Sequence, residues 1–342
     1  MANKVICVIL TYNRRELLER CLKAVYSQTR PCHMVMVINN ASTDGTLEYL
    51  KSGKYPDIKV YTMKRNVGAA GGFNAGFRLA YDNGADHVWM MDDDVIPDPE
   101  ALEKLLKADE FLEKRGMRRS YLLSTAYTEH GQVCNTPQVS NARNGAGYFD
   151  WPEQLEHGLV AIGSGTFVSI LVPRTTLEKY GLPISSMYIW GEDAEFTLRI
   201  TREQPGYLVG TSHVVHLRHG GGTISIVAES NPTRIGYYKN FIRNNLYISK
   251  VYKTKRRTMS IIFNNVILAL KMVAKRKFYK AWVIMLGLAL SIGYKPKVEK
   301  VNSEYDYTCI SVSLPEVNID DTETRKKTNS GEVYQQGFAR PT

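Results

Sequence analysis

The chain has 342 residues, 44% hydrophobic and 23% charged, which suffices for a sizeable core and excludes a disordered or fibrous protein. Its net charge of +10 is uneven: residues 250–300 hold thirteen Lys or Arg against the single acid Glu299, so +10 overall less +12 leaves −2 elsewhere. A near-neutral body with one basic segment argues against a nucleic-acid-binding surface and for one localised electrostatic contact.

The first hundred residues alternate strand and helix patterns. Residues 5–10, 34–38, 58–62 and 88–91 are strand-length apolar runs. Between them, residues 14–27 carry Leu17, Leu18, Cys21, Leu22 and Val25 on one helical face. Helix signals also cover 46–51 and 75–81. This spacing predicts an α/β fold built on a mostly parallel, doubly covered sheet. The strands end in or run on to Thr11, Asn39, Asn66 and Asp92, and ligands of open α/β sheets sit beyond the carboxyl ends of the strands. The fourth strand runs straight into Asp92-Asp93-Asp94, three adjacent carboxylates that call for a compensating cation, a hard divalent ion such as Mg²⁺ or Mn²⁺. A solvated acidic turn is the ordinary fate of such a cluster; the four converging strand ends favour the ion. The glycine-rich segment 66–77 follows the third strand and lacks the Lys-Ser/Thr of a Walker loop, so a nucleotide here is not held as in kinases or dehydrogenases.

Beyond Pro97 and Pro99, a helix is expected over 100–114, then a weakly patterned middle over 121–158. One strand with a bend is expected over 159–172. Residues 188–199 look like a helix start with Glu192, Asp193 and Glu195 in its first turn, the usual place for acids that merely complement a helix dipole. His216 ends a further apolar run; on its own it reads as a satisfied core histidine sooner than as a ligand.

Taken in order, Val8–Arg14, Ile38–Thr46, Asn66-Val67-Gly68, the aspartate triplet and Glu192-Asp193 resemble family 2 inverting glycosyltransferases of the GT-A fold. The stretch 68–73, the triplet, Trp190 before Asp193-Ala194-Glu195, His216, and Tyr238 through Arg243-Asn244 are similar to bacterial galactofuranosyltransferases. That resemblance, covering about residues 4–250, implies a Mn²⁺ or Mg²⁺ ion held by Asp92, Asp94 and His216, with Asp193 as the base. It implies donor contacts from Thr11, Asn13, Arg14, Asn39, Asn66, Gly71, Asp92 and Asp93, and acceptor contacts from Trp190 and Glu192. The chain departs from the family at Asn39, where Asp is usual; an Asn carbonyl also offers uracil N3–H an acceptor.

The expected activity is transfer of galactofuranose from UDP-galactofuranose to a lipid-linked or cell-surface glycan, in cell-surface polysaccharide biosynthesis. The alternatives are a rhamnosyltransferase using dTDP-rhamnose, or an inactive nucleotide-sugar or glycan-binding protein. The expected organisation is a GT-A domain over 1–249, with a nucleotide-sugar half over 1–98 and an acceptor half over 99–249. A basic helical membrane-associating region over 250–300 and a polar flexible tail over 301–342 follow. The apolar run 281–292 is short of the roughly 20 residues that span a bilayer, so the basic clusters around it point to an interfacial contact with anionic lipid. Five cysteines without a CxxC pair, and the lack of a leader-like start, are those expected of a cytoplasmic protein peripheral to the inner face of the cell membrane.

Overall fold

A computed structural model describes residues 3–55, 57–217 and 224–313. The alternating half contains β1 (Val5–Thr11), α1 (Arg15–Tyr26), β2 (Met34–Asn39), α2 (Thr46–Lys51), β3 (Ile58–Met63), α3 (Gly68–Asp82) and β4 (His87–Asp92). Strand β1 pairs in parallel with β2 and β4, and β2 with β3. The register sets Thr11 opposite Asn39, Asn39 opposite Thr62, and Leu10 opposite Asp92. All seven residues of β1 are buried, as in a sheet covered on both faces. The strands therefore end level with one another, and three of the four polar ends meet at the sheet itself.

The second half comprises β5 (Val95–Pro97), α4 (Ala101–Lys114), β6 (Leu122–Tyr127), β7 (Val133–Cys134), β8 (Gln138–Val139), β9 (Leu159–Ser164), β10 (Ile170–Pro173), α5 (Arg174–Tyr180), α6 (Glu192–Ile200) and β11 (Gly206–His216). Helices α7 (Pro232–Tyr252), α8 (Lys255–Ala274) and α9 (Phe278–Ser291) follow, then β12 (Ile310–Ser313). One mixed sheet runs β12-β3-β2-β1-β4-β10-β6-β11-β9-β8, with β5 on β11 and β7 on β6. This is the α/β GT-A architecture that the resemblance implied, with the C-terminal helices added. One core layer, including Leu18, Trp89, Leu102 and Leu122, fills one face of the sheet; Met36, Phe77, Met90 and Phe196 belong to the layer on the other.

Four expectations change. The run over 159–172 is two strands, β9 and β10, separated in the sheet by β6 and β11, because the residues around Gly165 turn the chain between them. The weakly patterned middle supplies β6, a central strand buried between β10 and β11. The boundary at 249/250 falls inside α7, whose Ile235, Tyr238, Ile242 and Leu246 pack with Ala269, Met272 and Ile284 of α8 and α9. Residues 301–313 are not a flexible tail. Val301 is buried, and β12 pairs antiparallel with β3. The buried guanidinium of Arg78 donates to the carbonyls of Val301 and Ser303, both at 2.9 Å, and to Glu299 at 3.2 Å. The rest of that expected tail, 314–342, lies outside the described residues.

Candidate functional site

The ends of β1 and β4 build the acidic centre. Thr11 Oγ1 donates to Asp93 Oδ2 at 2.7 Å. Arg14 Nη1 reaches Asp93 Oδ1 at 3.2 Å and Asp94 Oδ2 at 2.8 Å. Asn13 takes a left-handed φ of 52° and receives Thr43 N–H on its side-chain oxygen at 2.7 Å, which folds the segment after β1 against the one after β2. The chain then turns back at once: β5 pairs antiparallel with the end of β11, placing His216 opposite Val95, and Leu217 N–H donates to the Asp94 carbonyl at 2.8 Å. That short pairing is why a histidine 122 residues downstream arrives beside Asp94. His216 Nε2 lies 3.2 Å from Asp94 Oδ1, and Nδ1 is 2.8 Å from Asn135 Oδ1.

Electrostatics follow from crowding. Burial, with Asp94 and Asp93 beside it, drives the Asp92 carboxyl well above the usual range. Burial pushes Asp93 up to about 6 against the pull of Arg14 and Thr11. Burial also acts on Asp94, but His216 and Arg14 outweigh it and hold that carboxyl below its usual value. The residues fit a divalent ion in part. Asp94 Oδ1 is buried without a hydrogen bond and faces an imidazole nitrogen. Their 3.2 Å separation is close to the roughly 3 Å between neighbouring ligands of an octahedral ion with bonds of about 2.1 Å. Among the described residues, no three Asp, Glu, His or Cys side chains converge as a ready cage. Asp94 and His216 are brought into direct contact, and Asp92 lies near enough to feel the Asp94 charge without sharing that contact.

The other donor-side residues divide. Asn39 is wholly buried, its carbonyl accepting Ser42 N–H at 3.0 Å and its amide 3.4 Å from Thr62 Oγ1. It braces the strand end instead of opening toward a base. Asn66 accepts from Gly68 N–H at 2.8 Å and from the amide of Asn40 at 3.1 Å. Asn40, which the sequence reading passed over, also accepts Val67 N–H at 3.0 Å and donates to the Gly68 carbonyl at 3.1 Å. Its signal was the Asn39-Asn40 pair, since successive strand residues face opposite ways. The glycine-rich segment forms the first turns of α3 rather than a loop before it. A Cβ on Gly72 would meet Leu10 at 2.3 Å and one on Gly71 would meet Val67 at 2.7 Å, so these glycines serve close helix packing.

Across from the triplet stands the start of α6. Glu192 is buried with Oε2 lacking any hydrogen bond, and burial with Asp193 beside it pushes its carboxyl up to about 8. Burial pushes Asp193 up to about 6, with Ala194 N–H donating to it at 2.7 Å. Asp92 feels the Glu192 charge, so both acid groups share one region. Near neutral pH this pair carries about one proton, leaving one carboxylate free to take another. Glu195 belongs to the fold: fully buried, it is held by Arg199 at 2.9 Å and the Tyr252 hydroxyl at 2.6 Å. Trp190 precedes α6 at φ 61°, its ring against Tyr238 at 4.9 Å and Phe241 at 6.0 Å.

Comparison with known proteins adds to this geometry. Residues 6–117 match the family model for Glycosyl transferase family 2. The chain is 30% identical over 246 residues to galactofuranosyltransferase GlfT1 of Mycolicibacterium smegmatis, an alignment covering 64% of this chain and 72% of that protein. It is 28% identical over 221 residues to galactofuranosyltransferase GlfT1 of Mycobacterium tuberculosis, covering 59% of this chain and 66% of that one. Among solved structures, that of GalNAc-T7 with UDP, GalNAc and Mn²⁺ superposes with a TM-score of 0.50 at 16% identity. The match covers 76% of this chain and 54% of the other, a likeness of fold.

Proposed function

The chain belongs to the family 2 glycosyltransferases, and on that premise we propose that it is a metal-dependent inverting galactofuranosyltransferase. The observation that carries the proposal is the acidic centre at the level strand ends, where buried Asp94 Oδ1 faces His216 Nε2 at 3.2 Å, with Asp193 at the start of α6. Asp94 and His216 would hold Mn²⁺ or Mg²⁺, with Asp92 beside them. When bound, the ion supplies positive charge to the leaving diphosphate. Arg14 adds a second cation on the same side, and Thr11 fixes Asp93 for a polar contact to the donor. Asp193 takes the proton of the attacking acceptor hydroxyl. The new bond joins that oxygen to the anomeric carbon, the bond to the diphosphate breaks on the opposite face, and UDP leaves. Trp190 offers an apolar wall for an acceptor sugar.

The acceptor we propose is lipid-linked, reached from an anionic membrane surface. Met259, Phe263 and Leu270 on α8, and Phe278 and Trp282 on α9, are each more than 60% exposed, beside the exposed cations Lys253, Arg256, Arg257, Lys275 and Lys277. Helix α8 is long and apolar enough to cross a membrane, and only 11% of its most apolar window is buried. An apolar face ringed by cations matches an interface with acidic headgroups. The functional test is a panel of nucleotide sugars with Mn²⁺ or Mg²⁺, following released nucleoside diphosphate. UDP-galactofuranose should be the turned-over donor, with UDP-galactopyranose and dTDP-rhamnose poor. Preference for dTDP-rhamnose would make the enzyme a rhamnosyltransferase, and no turnover of any donor would mean a binding protein.

A further inference from the structure

Five consecutive carbonyls, from Ser186 to Trp190, are each captured by a group outside their own segment. The side-chain amide of Asn244 of α7 lies 2.9 Å from Met187 O, 3.2 Å from Ile189 O and 2.9 Å from Trp190 O, its two hydrogens shared among the three carbonyls. Arg243 donates to Ser186 O at 3.0 Å and Met187 O at 3.1 Å, and also to Asn244 Oδ1 at 3.0 Å, which turns the amide hydrogens toward the segment. The remaining carbonyl, Tyr188 O, accepts Ala70 N–H at 3.0 Å from the first turn of α3.

The segment needs such holding. Tyr188 and Trp190 both sit at left-handed φ, 66° and 61°, where side-chain-bearing residues are disfavoured, and Gly191 at φ 120° completes the turn into α6. Its fit on both sides is tight. A Cβ on Gly68 would lie 2.1 Å from Tyr188 O, and one on Gly191 would lie 3.1 Å from Asn244 Cβ. Asn244 is wholly buried, and the Arg243 guanidinium stacks over Tyr294 at 4.2 Å.

We propose that Asn244, steadied by Arg243, is a positioning residue that holds the strained 187–191 segment against the donor helix and so sets Trp190 and Asp193 on the acceptor side. The inference rests on the acceptor role given to those two residues above. A buried Asn that only filled space would need one or two partners near it in sequence. This one spends its amide on three carbonyls more than fifty residues away, and all three belong to the strained segment. Release of the segment displaces Trp190 and Asp193, while the contacts of Thr11, Arg14, Asp94 and His216 stay as they are.

The test compares Asn244→Ala with the milder Arg243→Lys, which keeps the charge and loses the planar fork. Hydrogen exchange over residues 186–195 should rise in both. Transfer to acceptor should fall about a hundredfold in Asn244→Ala, the scale of an ångström's misplacement, and less in Arg243→Lys. UDP affinity should stay within about twofold of the parent protein. Unchanged exchange in both variants overturns the proposal, as does donor binding that falls in step with transfer. If Asn244→Ala does not fold, Arg243→Lys decides by the same readings. If the parent protein hydrolyses no nucleotide sugar, the functional reading falls, and exchange alone still decides whether the clamp exists.

Discussion

The base proposed above, Asp193, is held in the fold with a raised pKa, and replacing it should expose both the chemistry and the cost of that placement. In Asp193→Asn the shape is kept and the proton acceptor is lost, so transfer should drop by about 10²–10⁴-fold, the usual worth of a positioned base. In the parent protein the base has its carboxyl pushed from 3.8 to about 6. Transfer should therefore rise with pH through about 6 and be about tenfold lower at pH 5 than at pH 7. Glu192, pushed up to about 8, is already protonated at neutral pH, so Glu192→Gln should keep that acid limb.

The same numbers fix a stability effect with a definite sign. The native carboxyl holds its proton more tightly than the unfolded one, so below about pH 4 both are protonated and burial costs nothing. Between pH 4 and pH 6 the unfolded chain ionises first, and above pH 6 the full cost is present. From 3.8 to about 6 that cost is about 3 kcal/mol. Asp193 keeps part of its surface in water, so about 1–2 kcal/mol is the expected gain for Asp193→Asn in urea unfolding at pH 7.5, with no gain at pH 4. A variant that is inactive and also less stable at pH 7.5 would refute the reasoning, since the loss would then come from a damaged fold. A flat profile from pH 5 to 7 in the parent, or loss of the acid limb in Glu192→Gln, would equally remove Asp193 as the base.

Three further outcomes are expected. Asp94→Ala or His216→Ala should abolish tight Mn²⁺ binding, read by electron paramagnetic resonance, and lower transfer about a hundredfold or more; retained Mn²⁺ affinity in both would refute the ion site. Trp282→Ser with Phe278→Ser should weaken binding to vesicles containing acidic lipid, and binding of the parent should fall as salt rises; salt-independent binding would return α8 and α9 to some other partner. Arg78→Met leaves the carbonyls of Val301 and Ser303 without their donor and should cost about 3 kcal/mol in urea unfolding; a loss under about 1 kcal/mol would mean that residues 299–303 are held by something else.

The donor half was legible because its strands are covered on both faces and separated by amphipathic helices, so period and length agree. The acidic centre was legible for the same reason: level strands put their last residues in one place. Residues 121–158 resisted because β6 is a short central strand flanked by two-residue strands, too brief for any period to show. The resemblance implies donor roles for Gly71 and Asn39, whose surroundings in the fold are Val67, Ser42 and Thr62. His216 stands 3.2 Å from Asp94, the aspartate with which the resemblance has it share an ion. Nothing local announced Arg14 as the partner of two aspartates eighty residues on, or Asn244 as the support of Trp190. Such contacts exist only after the sheet and α7 have formed.

The return of the chain from α9 to the outer edge of β3 has a practical consequence. A β3 without β12 would present a row of unpaired N–H and C=O groups, the template on which strands of neighbouring molecules add. Anyone shortening this protein to rid it of the apolar faces of α8 and α9 would strip that cover at the same stroke, along with Val301 and the partners of Arg78. The shortened chain would exchange one sticky surface for another, and loss of solubility in it would report on a bare sheet edge instead of on the glycosyltransferase domain's ability to fold.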